Sequence, residues 1–490
     1  MWGSQQILAD QSAAIPAGDR TRRYALAIAL LIGIRFIAAG LLPLYFGDEP
    51  YYWHWSQSLA WGYFDHPPAV AFLIRAGTTL FGDTEFGVRF FGLVLSIPAT
   101  MCVWRTGTLL LGGSENGARA ALFFNLTLMV HAVTILATPD APLIFCSAAF
   151  IWAVAEADAG KDGRWWLAAG LFAGLGLLSK YTILFVGAGV FFWLVLTDGG
   201  RRWLKTPWPW LGGAIAAAVF SPNVIWNMTH ESGGALGFQF GRLGFTGRGR
   251  WYYLPQFIGE QFLLASPFIL ILAMAGLWRA TTLSDQRRFL LATLLWPLIA
   301  FFVVYVFVDR IHRNWCDVVY PALAIAAADA FRTAGSRFVR RAAVPAACVI
   351  LAIVYGQALL HPISLAPYDP LDHHLASTMR QRAVPIAKAV SDANARAILT
   401  TDFPVTSWLR FYLRPQIPVI MVADDYRFPD APRATADNFE GTLIYVAIKD
   451  DMLYVLNKGF SRVEQLKGLS TPFFVYRVSG FKGEPYGRIP

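Results

Sequence analysis

Long apolar runs, separated by short polar stretches, organise most of the chain. About twenty apolar residues cross a bilayer, and on that measure the pattern predicts roughly eleven membrane-spanning helices. They fall near 24–45, 86–111, 118–137, 141–157, 165–179, 182–197, 208–226, 256–278, 289–308, 316–332 and 341–360. The segment 67–82 (PPAVAFLIRAGTTLFG) is shorter and carries Arg75, so it reads as an interfacial helix of the first loop. From about residue 361 the pattern changes. Stretches of alternation such as 442–448 (TLIYVAI) and 472–478 (PFFVYRV) predict strands, and 376–395 predicts a helix. The expected fold is therefore a polytopic α-helical membrane protein with interfacial helices in its first outer loop and a small C-terminal α/β domain. The boundaries that follow are 1–360 for the transmembrane catalytic domain, with 47–85 as its catalytic first outer loop, and 361–490 for an extracytoplasmic α/β domain.

Composition agrees with this pattern. Of 490 residues, 56% are hydrophobic and 15% charged, against about 25% charged in soluble domains. The net charge of +9 does not indicate nucleic acid. The basic residues sit in alternate short loops: Arg20, Arg22 and Arg23; Lys161 and Arg164; Arg201, Arg202 and Lys205; Arg279, Arg287 and Arg288; then Arg332, Arg337, Arg340 and Arg341. That is the positive-inside bias of a multi-pass protein, and it makes those loops cytoplasmic. Residues 1–23 are polar and read as no cleavable signal peptide. Cys102, Cys146, Cys316 and Cys348 all lie in apolar segments and suggest neither disulfides nor a metal cluster.

The opposite face collects the unusual polar residues. Residues 47–68 (GDEPYYWHWSQSLAWGYFDHPP) combine Asp48, Glu49, Asp65 and His66 with a dense set of Trp and Tyr. Aromatics at that density suit the membrane–water interface, and carboxylates beside them are candidates for chemistry or ligand binding. Asp140 begins an apolar run, and Lys180 with Tyr181 stands between two runs with almost no loop. A cation there must reach the interface or find an anion, for which a phosphate fits. His230, and Arg310 with His312 in DRIHRNW at 309–315, emerge on the same side. Each has a plainer reading: a helix-start cap for Asp65 and Asp140, a surface histidine for His230, lipid-phosphate anchoring for Arg310 and His312. Their convergence from five loops is what argues for an active site. No cofactor is certain from these residues. A divalent metal on Asp48, Asp65, His66 and His230 stays open, since nothing in their spacing demands one.

Taken together, Asp48-Glu49 after the first span, YFDHPP at 63–68, RFFGLVLS at 89–96, TPDAP at 138–142, GLGLLSKYT at 174–182 and SPNVIWN at 221–227 carry a family resemblance. The chain resembles the polyprenyl-phosphate-sugar-dependent glycosyltransferases of the GT-C fold over about residues 24–330. The nearest group is the bacterial relatives of dolichyl-phosphate-mannose protein mannosyltransferases and of the lipid A aminoarabinose transferase. The resemblance implies Asp48 as the catalytic acid/base with Glu49 beside it, Asp140 in the same cavity, and Lys180 near the phosphate of an undecaprenyl-phosphate-type donor. It further implies a bacterial inner-membrane enzyme with a periplasmic active site and an envelope acceptor, either a glycolipid of the lipid A or lipopolysaccharide type or a protein. The aminoarabinose transferases carry Arg shortly after the acid pair and Glu-Lys before Pro-Pro. Here those places hold Tyr51 or Tyr52 and Asp65-His66, so neither the same sugar nor a metal site carries over. A phosphate leaving group needs positive charge rather than a proton, which Lys180, Arg310 and His312 are placed to supply. Two other classes compete: a transporter or flippase of a sugar-lipid and a non-catalytic assembly subunit. The absence of an internal repeat and the gathering of polar residues at one interface favour the transferase.

Overall fold

A computed structural model of the protein describes residues 17–230, 234–241, 251–282, 285–333, 335–360, 362–363, 380–413, 417–422, 427–428, 436–449, 453–469 and 471–483. Among the described residues six helices are long and apolar enough to cross a bilayer: Gly18–Leu41, Glu85–Leu111, Asp140–Gly160, Trp208–Thr229, Gln286–Tyr305 and Arg337–Leu360. Three bent pairs raise the number to nine if each pair is one span: Ser114–Leu126 with Leu128–Ile135, Ile183–Leu196 with Asp198–Leu204, and Tyr253–Leu264 with Pro267–Thr282.

This differs from the eleven continuous spans expected, and local chemistry gives the reason. The 118–137 run breaks at Thr127, whose extended backbone (ψ 135°) and side chain cap the next helix by accepting from the Val130 amide. The 256–278 run breaks at Ser266, which adopts φ +67°, and the two helices meet at 107°. The runs at 165–179 and 316–332 form helices of 13 and 12 residues, Trp165–Leu177 and Tyr320–Phe331, each only about 20 Å long at 1.5 Å per residue.

Small residues set the packing. Trp165–Leu177 and Trp208–Thr229 approach so closely that a Cβ on Gly170 would lie 2.0 Å from the Gly212 carbonyl oxygen. Such contacts are how helices associate without a hydrophobic drive between them. The alanines of Tyr320–Phe331 are buried at the centre, while Leu30, Ile37, Met101 and Trp210 face outward. Contiguous exposed apolar surface of that kind is what a lipid-facing wall requires.

Beyond Leu360 the chain builds a five-stranded sheet, with β1 Ile398–Thr400, β2 Val419–Met421, β3 Thr442–Ala447, β4 Phe460–Gln465 and β5 Phe474–Phe481 in the order β2-β1-β3-β5-β4. β1 is parallel to β2 and β3; β5 is antiparallel to β3 and β4. Val384–Asp392 is the described helix within the predicted 376–395; residues 376–379 lie outside the described residues. It and Phe403–Tyr412 cover one face of the sheet through Ile386, Trp408 and Leu409, and Leu456 covers the other. This domain sits on the first loop. The Tyr412 hydroxyl accepts from the Leu44 amide at 2.9 Å, and Phe411 meets Trp53 edge-on with ring centroids 5.1 Å apart.

Candidate active site

The first span ends in a turn at Gly47, whose φ of +101° suits glycine. Asp48 then occupies the N-cap position of the helix Glu49–Gln57 without a side-chain capping bond, with Pro50 in the first turn. Successive helical residues point about 100° apart, and that angle sends the two neighbouring acids to different places. Glu49 is fully buried. It takes Arg89 Nε at 2.8 Å and Nη2 at 2.5 Å, the Tyr45 amide at 2.6 Å and the Ala137 amide at 2.8 Å. Arg89, equally buried, donates onward to the carbonyls of Ala39, Leu42 and Pro43. Glu49 therefore staples the end of the first span to two other segments and does not line the cavity.

Asp48 lines a cavity of about 660 Å³. None of the described residues donates a hydrogen bond to its carboxylate. Burial pushes that carboxyl up to about 7, reinforced by Asp140, Asp65 and Glu49 and opposed by Lys180.

Asp140 opens the helix Asp140–Gly160, and Lys180 stands in the tight link before Ile183–Leu196. Lys180 Nζ lies 2.5 Å from Asp140 Oδ1. Asn314 Nδ2 and Thr138 Oγ1 donate to the other oxygen at 3.0 and 3.2 Å. The predicted anion for Lys180 was a phosphate; the structure supplies Asp140 first. Burial disfavours the Lys180 charge, yet Asp140 and the fully buried Asp317 hold its ammonium above the usual value. The Ala69 amide donates to the Leu178 carbonyl at 3.0 Å, which fixes the Pro-Pro element of the first loop against the segment that carries Lys180.

Asp65 receives Arg427 Nη1 on both oxygens, at 2.9 and 2.8 Å. The guanidinium lies over the rings of Phe403 (4.6 Å) and Phe64 (5.0 Å). His66 meets Tyr52 edge-on at 6.2 Å. A second wall of the cavity is apolar, made by Leu128, Met129 and Val133 of the bent pair and by Val354 and Ala358 of the last span.

Six of the ten residues singled out from sequence line this cavity: Asp48, Asp65, His66, Asp140, Lys180 and His312. Four do not. Glu49 is turned to Arg89. The Tyr181 hydroxyl donates to Asn223 Oδ1 at 2.9 Å, and Asn223 Nδ2 in turn holds the Trp61 carbonyl at 2.7 Å, so Tyr181 ties elements together. Arg310 is exposed outside the cavity, and its neighbour Arg313 lines it instead. His230 is exposed and stacked on Trp226 with centroids 4.0 Å apart. The metal set Asp48, Asp65, His66 and His230 is thus not brought together, and among the described residues no three His, Cys, Asp or Glu converge as ligands. Reasoning from sequence grouped Arg313 with Arg310 and His312 in one cationic cluster, and it missed Asn314 and Arg427. Asn314 lies inside the same DRIHRNW signal, whereas nothing in the residues around Arg427 marks it.

Spanning and bent helices thus surround a cavity, with an acid directly after the first span and an α/β domain seated on the first loop. Residues 65–226 match the dolichyl-phosphate-mannose-protein mannosyltransferase family. The lipid A galacturonosyltransferase RgtD of Rhizobium johnstonii is 28% identical over 284 residues, which is 57% of this chain and 59% of the relative, so the match spans little more than half of that protein. Among solved structures, ArnT from Cupriavidus metallidurans in the apo state aligns with a TM-score of 0.64 at 18% identity, covering 92% of this chain and 97% of that one. The same protein bound to undecaprenyl phosphate aligns with a TM-score of 0.65 at 16% identity, over 93% and 98% of the two chains. At these identities the likeness to ArnT establishes the fold.

Proposed function

We propose that this protein is a membrane glycosyltransferase. It moves a sugar from a polyprenyl-phosphate donor to a glycolipid of the lipid A or lipopolysaccharide type, at the periplasmic face of the bacterial inner membrane. The observation that carries this reading is Asp48: a carboxyl with no hydrogen-bond donor among the described residues, held near neutrality at about 7, on a cavity that also presents a buried ammonium. A general base works best when its pKa lies near the operating pH. The names of the relatives support the substrate class, since RgtD is named for lipid A and ArnT was solved with undecaprenyl phosphate.

In this mechanism the acceptor hydroxyl gives its proton to Asp48 as its oxygen forms the new bond to the anomeric carbon. The bond from that carbon to the phosphate oxygen breaks, and its electron pair leaves with the phosphate. A single displacement of this kind inverts configuration. The departing dianion needs cations, which Lys180 provides with Arg313 and His312 on the same wall. Asp140, itself held by Asn314, keeps Lys180 in place, and Glu49 with Arg89 fixes the turn that aims Asp48. The apolar wall of Leu128, Met129, Val133, Val354 and Ala358 suits the first isoprene units of a donor.

The test is transfer by the purified protein from an undecaprenyl-phosphate sugar to lipid A. Asp48→Asn is expected to lower the rate by about 10²- to 10⁴-fold, the contribution of a general base. Retained transfer by Asp48→Asn refutes Asp48 as the base, and no transfer by the wild-type protein from any such donor refutes the function.

A further inference from the structure

Asp317 is a fully buried acid that the mechanism above does not use. It belongs to the 3₁₀ helix Arg313–Val319, whose period of three residues puts Asn314 and Asp317 on one side. Asn314 donates to Asp140 at 3.0 Å, and Ser147 Oγ donates to the Val318 carbonyl. Those two bonds lay the 3₁₀ helix along the start of Asp140–Gly160, so that Asp317 meets the Asp140 carboxyl and acts on the Lys180 ammonium. Neither oxygen of Asp317 has a hydrogen-bond partner among the described residues. The Val318 amide favours a charge there but falls outside bonding geometry. Cys316 Sγ and the Tyr320 hydroxyl are close by, yet both donate to Gln261 Oε1, at 3.0 and 2.9 Å. Other helices packed on this turn bring His131, Glu260 and Tyr305. His131 bonds Tyr355 and Asn125, Glu260 bonds Gln256, and Tyr305 stacks on Phe301.

Charge decides how such a group is satisfied. Lys180 Nζ already stands 2.5 Å from Asp140. Two ionised acids on that ammonium would bury a negative charge without compensation, which costs more than the pairing returns. Where two carboxyls share a site, one of them keeps its proton. The contacts say which. Asp140 accepts from Lys180, Asn314 and Thr138, all of them donors suited to an anion. Asp317 receives nothing of the kind. A protonated carboxyl is itself a donor, and the acceptor beside it is Asp140. The group then sums to zero charge. With Asp317 ionised it would be negative, on the wall where a phosphate has to arrive.

Resting on the transferase reading above, we propose that Asp317 is a positioning residue that stays protonated at neutral pH, donates its O–H to Asp140, and thereby leaves Lys180 available to the donor phosphate. The hydrogen bond draws on the Asp140 charge and loosens its hold on the ammonium. Carrying no charge of its own, Asp317 does not repel the phosphate.

Two experiments on the full-length protein in lipid nanodiscs test this. The first measures undecaprenyl phosphate binding. Asp317→Leu, which removes the donor, is expected to weaken it about tenfold, the effect of one charge-assisted hydrogen bond. Asp317→Asn, which puts back a neutral donor, should return it to within about threefold of wild type. An ionised Asp317 predicts the reverse: Asp317→Asn would remove a negative charge from the phosphate wall and tighten binding about tenfold or more. That result, or wild-type binding by Asp317→Leu, overturns the inference. The second experiment records infrared spectra at neutral pH in the Asp48→Asn background, so that Asp48 adds no signal. A protonated carboxyl band that shifts on ¹³C-aspartate labelling and disappears in Asp317→Asn is expected; its absence overturns the inference. The labelled band alone decides the matter if an Asp317 variant fails to fold. A wild-type protein that shows the band but binds no undecaprenyl phosphate overturns the transferase reading, and with it the role of Asp317 at a phosphate, while the shared proton stands.

Discussion

Glu49→Gln separates the two adjacent acids of the first loop. In the native site Glu49 accepts four hydrogen bonds, two from Arg89 and two from the amides of Tyr45 and Ala137. Every one of these partners is a donor. A glutamine can satisfy them with its oxygen only, and its NH₂ must face at least one of those donors. The substitution also leaves the Arg89 guanidinium buried without a counter-charge, since its other partners are the carbonyls of Ala39, Leu42 and Pro43. Removing one member of a buried ion pair costs about 3–5 kcal/mol. A hydrogen bond to a charged group is worth about 1.5–3 kcal/mol, so losing two gives a figure of the same size. The expected result is a fall of several degrees in the apparent Tm of the detergent-solubilised protein, with activity lost in step with folded protein. Asp48→Asn should behave in the opposite way. Its folded carboxyl is raised from 3.8 to about 7, so the ionised group is a burden that grows as pH rises between those values. Removing it is expected to raise or hold the Tm at pH 8 while abolishing transfer. A Glu49→Gln protein with wild-type Tm and no transfer would refute this division of labour and give Glu49 a chemical role.

Three further outcomes follow from the same geometry. The rate at saturating substrate should rise with pH through about 7 as Asp48 loses its proton. Asp65→Asn should move that limb to lower pH and Lys180→Gln to higher pH, as read from pH–rate profiles of each variant. Lys180→Ala leaves Asp140 buried without its cation; it should cost about 3–5 kcal/mol of stability in chemical denaturation and weaken undecaprenyl phosphate binding. Arg310→Ala and His230→Ala, both outside the cavity, should change kcat/KM by less than about threefold, within the scatter of surface substitutions.

Much of this arrangement is visible in the residues before any coordinates. Apolar runs locate the helices because the bilayer imposes one length on all of them, and they locate the polar loops by subtraction. What the runs hide is where a helix bends. Thr127 interrupts an apolar stretch through a side-chain cap, and Ser266, directly before Pro267, through a left-handed backbone, and hydropathy is blind to both. The first loop stands out because Asp48, Glu49, Asp65 and His66 are costly residues among so many aromatics. Which way each acid points is not written there. Asp48 and Glu49 are neighbours in sequence, and Arg89, forty positions away, decides that Glu49 turns inward. Lys180 is conspicuous between two apolar runs, but its pairing with Asp140 spans another forty residues. His230 and Arg310 emerge on the expected side without entering the cavity, because sharing a face is a weaker condition than sharing a pocket. Arg427, 362 residues from Asp65, belongs to a segment whose composition announces only strands and turns.

The measurement closest to the central claim compares envelope glycolipids by mass spectrometry in cells with the wild-type protein, cells without it, and cells carrying Asp48→Asn at matched protein levels. The account predicts that one glycolipid loses a single sugar in both altered strains while a polyprenyl-phosphate sugar accumulates. A profile that changes on deletion but is restored by Asp48→Asn would contradict Asp48 as the base and favour a carrier of sugar-lipids instead.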